Sequence, residues 1–225
     1  MKVYITYVDG NKPSENQASL SLESFLDKGW NAELNKGITP TTLSKADFPF
    51  KDMPGGRLQG FLFSEPRKYP IKVSCLYNNL HFAKRVVDAN ESMIFAEHDV
   101  ICKTEYKPFE FTDFCFLAMD HAFKPPTCLA KYNWTPPYGN GVREFPSNYP
   151  LQYYRDTTYK GCNMTPGTAA YALSPTGARK ILDAAEKYGL EQSDFIYNSH
   201  NLKLEYISPS PVKYNTVNLN LSHKL

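Results

Sequence analysis

Apolar and polar positions alternate through residues 2–8 (KVYITYV), a β-rich stretch closed by Asp9-Gly10, and this predicts a first strand. The period then lengthens. In residues 14–29 (SENQASLSLESFLDKG), Ala18, Leu22, Phe25 and Leu26 fall on one helical face. Ser14 with Gln17 has the spacing of a capping box, and Gly29 stands where such a helix would stop. A short strand is expected near residues 32–34, and residues 36–70, rich in Pro, Gly and Lys, read as loop. Leu76, Leu80, Ala83 and Val87 then repeat at helical spacing across residues 74–92, with Asp88-Ala89-Asn90 as the end of that helix. MIFA (93–96) and DFCFLAM (113–119) read as short apolar strands. Residues 124–165 form a long insert dense in Pro, Tyr, Asn and Gly. GTAAYALS (167–174) reads as a buried strand. The strongest helix signal follows: Ser174 as N-cap, Pro175 at the first position, Gly189 at the stop, and Ala178, Ile181, Leu182 and Ala185 on one face. One or two helical turns near residue 193, a strand over 202–208 and an irregular tail complete the chain. Strands alternating with helices predict an α/β fold, taken as a single domain over residues 1–225.

Composition narrows the picture modestly. Of 225 residues, 42% are hydrophobic and 21% charged, an ordinary globular balance. The net charge of +2 makes no case for nucleic-acid binding by itself. Five cysteines with no CxxC pair argue against a zinc site or a disulfide framework and fit reduced thiols in a cytoplasmic setting. The opening residues are too polar for a signal peptide, and no apolar run approaches a membrane span. Residues 131–160 combine Trp134, Tyr138, Tyr149, Tyr153, Tyr154 and Tyr159 with Arg143 and Arg155. Such a mixture either stacks on sugar rings or single-stranded nucleic acid, or is a Tyr-rich insert packed on the sheet.

The chemistry concentrates in IFAEHDVIC (94–102). Glu97, His98 and Asp99 appear together between two apolar runs. Buried charges are costly unless paired or bound to a cation. The trio is therefore either a solvated turn or a site. Residues i and i+2 of an extended segment point the same way, so Glu97 and Asp99 would converge beyond a strand end, where α/β proteins bind ligands. Two carboxylates there suit a hard cation such as Mg²⁺ or Mn²⁺. Asp120-His121, after the 113–119 strand, makes a second acid–imidazole pair and leaves a metal-dependent phosphohydrolase open as an alternative. No HExxH, Gly-rich phosphate loop or GxSxG elbow is present.

CLYNNLHFAKRVVDANESMIFAEHDVIC resembles the centre of the family 25 glycosyltransferases of the lipopolysaccharide-biosynthesis type, where a helix and a short apolar strand lead into a Glu-Asp-Asp turn. Glu97 and Asp99 match the outer acids, and His98 replaces the middle one. GTAAYALSPTGARKIL resembles the family's Gly-Thr-Ala-Gly-Tyr strand and helix, with Ala170 in place of the second Gly. EQSDFIYN resembles the segment with an Asp before the last strand, matched by Asp194, and SPSPV the proline-containing stretch after it. VYITYVDGNKPSENQASL is similar to the family's first strand, loop and helix but lacks its Arg pair. Residues 36–70 and 120–160 are unmatched.

This resemblance implies a GT-A-like, Rossmann-like domain with a mixed, mostly parallel sheet flanked by helices. It implies a hexosyl- or pentosyltransferase taking a nucleotide-diphospho-sugar, UDP-linked by expectation, to a hydroxyl by inversion. Glu97 and Asp99 would hold Mn²⁺ or Mg²⁺, Glu97, Thr168 and Tyr171 would bind the donor, and Asp194 would be the general base. A saccharide is the default acceptor, and DNA carrying hydroxymethylated bases is the alternative. A nucleotide-sugar-binding protein without turnover is a further reading, motivated by His98 and the missing arginines.

Overall fold

The computed structural model describes residues 1–119, 139–147, 149 and 151–215. Asp120, His121, Trp134 and Tyr138 lie outside the described residues. In chain order the elements are β1 (Lys2–Tyr7), α1 (Lys12–Asp27), β2 (Asn31–Lys36), α2 (Arg57–Ser64), α3 (Tyr69–Ala89), β3 (Met93–Glu97), β4 (Val100–Cys102), β5 (Phe114–Phe116), β6 (Gly141–Glu144), β7 (Ala170–Leu173), α4 (Pro175–Tyr188), α5 (Ser193–Ile196), β8 (Leu204–Ser208) and β9 (Val212–Tyr214).

Among the described residues the main sheet has seven strands in the order β2-β1-β3-β7-β5-β8-β6. β1 pairs in parallel with β2 and β3, and β5 with β8, while β7 and β6 run against their neighbours. The sheet is thus mixed and mostly parallel, with helices on its faces, the α/β class expected. β4 and β9 form a separate antiparallel pair.

Apolar alternation decides which helix covers which face. Tyr4, Phe95 and Tyr171 lie level across β1, β3 and β7 and meet α3 through Phe82. The intervening Val3, Ile5, Ile94 and Ala96 point the other way and are fully buried, on the side of α1 with its buried Ala18 and Phe25. α4 starts as its sequence says: the Ser174 side chain accepts from the Gly177 N–H, and Ala178, Ile181 and Ala185 are fully buried.

Other boundaries moved, each for an identifiable contact. α1 starts at Lys12 because Asn11, not Ser14, is its N-cap, with Asn11 Oδ1 accepting from Ser14 N–H at 3.1 Å. Ser14 Oγ instead accepts from Val8 N–H, and Gln17 from the Asn215 side chain. α3 begins at Tyr69 with Pro in its first turn, ahead of residue 74. α2 lies inside the segment read as loop. Its N-cap Gly56 offers no side-chain bond. The cap comes from Glu191, far along the chain and fully buried, whose carboxylate accepts from the N–H groups of Arg57, Leu58 and Gln192 and from Tyr153 Oη, all within 2.8 Å.

Replacing Glu191 with Ala leaves those buried donors without an acceptor, so a loss of about 2–4 kcal/mol is expected, read as a fall in the urea unfolding midpoint. Gly177→Ala is also expected to destabilise, against a helix-propensity gain of about 1 kcal/mol. A Cβ there would lie 2.8 Å from the Asp113 carbonyl carbon, because Ser174 N–H is bonded to that carbonyl oxygen. Thermal unfolding of the variant checks the sign.

Candidate active site

β1 leads through α1 to β2 on one side, and β2 leads back to β3 on the other. The crevice beyond the carboxyl ends of β1 and β3 is the position at which open α/β sheets bind ligands. Glu97, the last residue of β3, stands there, level with Thr6 of β1. Antiparallel pairing brings β7 in beside it: Ala96 lies opposite Ala170, and Glu97 N–H donates to Ala169 O at 2.8 Å. Thr168 is thereby set next to the Glu97 carboxylate.

Thr168, almost fully buried, is the centre of the site. Its hydroxyl lies 3.0 Å from Glu97 Oε1 and 3.4 Å from Asp194 Oδ1. Asp194 sits in the first turn of α5, and its other oxygen accepts from Gln192 Nε2 at 3.0 Å. One hydroxyl has one proton for two acceptors. The arrangement is satisfied when Glu97 itself carries a proton and donates it to Thr168, whose own proton then goes to Asp194.

The electrostatics favour that state. Removal from water, followed by the charges of Asp99 and Asp194, pushes the Glu97 carboxyl up to about 8, with Thr168 and the Lys72 ammonium opposing more weakly. Burial also raises Asp99, against the neighbouring His98, and lowers His98, against Asp99. Tyr214 of β9 is raised by burial and then by Glu97, Asp99 and Asp194, which places its phenol at the same cluster.

Glu97, Asp99, Thr168 and Asp194 are therefore brought together, but not by the expected route. The strand ends at Glu97, and His98-Asp99 form a turn, so Asp99 arrives by a bend rather than by strand alternation. Asp99 Oδ1 is buried with no hydrogen-bond partner among the described residues. Tyr171 does not join them. It has no exposed surface, and its hydroxyl is engaged at 2.6 Å with Asn79 Oδ1 and 2.7 Å with Tyr197 Oη; the donor-binding expectation gives way here to a core position. Of the aromatic insert, Tyr149, Tyr153 and Tyr159 are buried and Tyr154 is exposed, so most of its described rings pack inward. Lys72, Gln192 and Tyr214 escaped sequence reasoning because nothing in their own neighbourhoods marks them.

A divalent cation suits the charge of the site. Among the described residues no group of three or more His, Cys, Asp or Glu is placed to hold a metal ion. Mg²⁺ held by one or two carboxylates and completed by substrate phosphates needs no such cage, and Asp99 Oδ1 is a buried oxygen without a hydrogen-bond partner among the described residues.

No family model and no curated protein matches the chain, so the family 25 resemblance stands on its motifs. Among solved structures, the apo form of mouse xyloside xylosyltransferase 1 is similar at 11% identity and a TM-score of 0.35, covering 87% of this chain and 79% of that one. A likeness so distant carries no argument about chemistry. No described helix is long and apolar enough to cross a membrane.

The raised Glu97 carboxyl has a stability consequence. Its contribution is fully present below the unfolded carboxyl range near 4.5 and is lost as pH rises through about 8. Glu97→Gln is expected to leave the melting temperature nearly unchanged at pH 5 and to raise it at pH 8.5, by about 2–4 °C per kcal/mol relieved in a chain of this size. Melting curves of both proteins across pH 5–9 check this.

Proposed function

We propose that this protein is a nucleotide-sugar-dependent glycosyltransferase, moving a hexose or pentose from a nucleoside diphosphate, with UDP as the favoured carrier, to a hydroxyl acceptor. The observation that carries the reading is the convergence of Glu97 and Asp194 on the Thr168 hydroxyl at the carboxyl end of β3, with the Asp99 charge close enough to act on Glu97. The motif resemblance to family 25 supports it.

In this reading Glu97 and Asp99 would hold Mn²⁺ or Mg²⁺, which when bound would supply charge stabilisation for a departing diphosphate. Asp194 accepts the proton of the acceptor hydroxyl. The acceptor oxygen bonds to the anomeric carbon as the bond from that carbon to the diphosphate oxygen breaks, and the electron pair leaves with the diphosphate. Attack opposite the leaving group inverts the anomeric centre. Thr168 and Gln192 each bond one oxygen of Asp194, fixing the carboxylate plane for proton abstraction.

The deciding experiment measures nucleotide release from UDP-, GDP- and CMP-sugars with Mn²⁺, Mg²⁺ or EDTA. Metal-dependent release from one donor is expected. Asp194→Asn should lower transfer to an added acceptor by about 10²–10⁴-fold, the range for a general base, and Glu97→Gln should weaken the metal dependence. Retained nucleotide binding without release across the panel would instead favour a binding protein. Transfer within a few-fold of wild type in both variants would overturn the site assignment.

A further inference from the structure

Beside Asp194 a cleft of about 340 Å³ opens between α2, the start of α3, the loop at Tyr154 and α5. That volume is at the small end of ligand pockets and has room for a monosaccharide unit. Three cations line it, Arg57, Lys68 and Lys72, against one acid besides Asp194, namely Glu65. Glu65 is already held by Lys68. Arg57 and Lys72 have no carboxylate in an ion pair with them among the described residues. They lie instead over the Phe61 ring, at 4.7 and 5.8 Å from its centroid. Tyr154, 63% exposed, and Phe195 give the cleft ring faces of its own.

Neither Glu97, Asp99 nor Thr168 lines this cleft, whereas Asp194 does. With Asp194 as the base that takes the acceptor's proton, a cleft lined by Asp194 but not by Glu97 or Asp99 suits the acceptor rather than the donor diphosphate. With Glu65 and Asp194 set against the three cations the lining keeps an excess of positive charge, and Arg57 and Lys72 stand near each other without an ion-pair partner among the described residues, an arrangement that an anion joining them would balance. A neutral sugar ring would stack on Tyr154 and leave that charge unanswered. We propose that the cleft is the acceptor subsite and that the acceptor is a saccharide carrying an anionic substituent, phosphate or carboxylate, received by Arg57, Lys68 and Lys72. The assignment rests on the transferase reading above.

Saturation-transfer NMR and calorimetry with glucose 6-phosphate, glucuronate and glucose test it, on wild type and on the Arg57→Gln/Lys68→Gln double variant, with UDP as the control ligand. Wild type should bind at least one of the charged sugars about tenfold more tightly than glucose, and which one identifies the anion as phosphate or carboxylate. The double variant should lose at least fivefold of that affinity while its UDP affinity is unchanged. Lys68→Gln alone, at a side chain 47% exposed, serves if the double variant does not fold. Equal binding of charged and neutral sugars would overturn the proposal. So would a parallel loss of UDP affinity, which would make the cleft a diphosphate site. Failure of the transferase reading is separately visible as a wild type that neither binds nor hydrolyses any nucleotide sugar, whatever the charged sugars do, and it removes the acceptor role with it.

Discussion

A single buried hydroxyl holds the architecture of the site. Tyr171 runs through the middle of the sheet on the antiparallel β7, its ring stacked 5.2 Å from Phe95 on one side and 5.0 Å from Phe114 on the other, with Phe82 of α3 at its edge. A phenol so buried must find partners, and it finds Asn79 on α3 and Tyr197 just after α5. Tyr197 also bonds Asn79, closing a triangle between helix, sheet and the segment that follows α5. Thr168 stands three residues before Tyr171, and Asp194 three residues before Tyr197. Fixing the two tyrosines against each other therefore fixes the hydroxyl and the carboxylate that meet at the site. Tyr171 serves the site through position, without touching anything that binds there.

The site so positioned is electrostatically unfavourable on its own. Three carboxylates crowd one end of β3, and Lys72 is the cation whose charge reaches Glu97. Protonation of Glu97 relieves the crowding at neutral pH, and a bound cation would relieve it further. Such tension is ordinary at functional sites, where groups are held for a ligand rather than for stability. Contrast Glu191, fully buried but supplied with four donors. That carboxylate caps a helix and is satisfied by the protein alone. Two buried glutamates thus do opposite work, and the difference lies in whether the fold provides their partners.

Legibility in the sequence followed the reach of each interaction. α4 could be read almost to the residue because its N-cap, first-turn proline and terminal glycine all lie within or beside it. β3 was visible because its residues are apolar on both faces. α2 was missed because its cap comes from Glu191 across most of the chain. β4, β6 and β9, three or four residues each, carry too little pattern to announce themselves. Ser14 and Gln17 form a convincing local box, yet tertiary partners at Val8 and Asn215 took both side chains.

For the chemistry the division is similar. Local order along the chain determined that acids follow a buried strand, that Gly-Thr precedes another, and that an Asp opens a short turn of helix, because each of these is a run of neighbours. Only the tertiary structure decided that Glu97, Thr168 and Asp194 share one hydroxyl, since that depends on β7 pairing antiparallel to β3 and on α5 being anchored by Tyr197. It alone decided that Tyr171 is core and that Arg57, Lys68 and Lys72 face one cleft beside Asp194. Residues distant in sequence meet through packing, and packing is a property of the whole sheet with its helices rather than of any one segment.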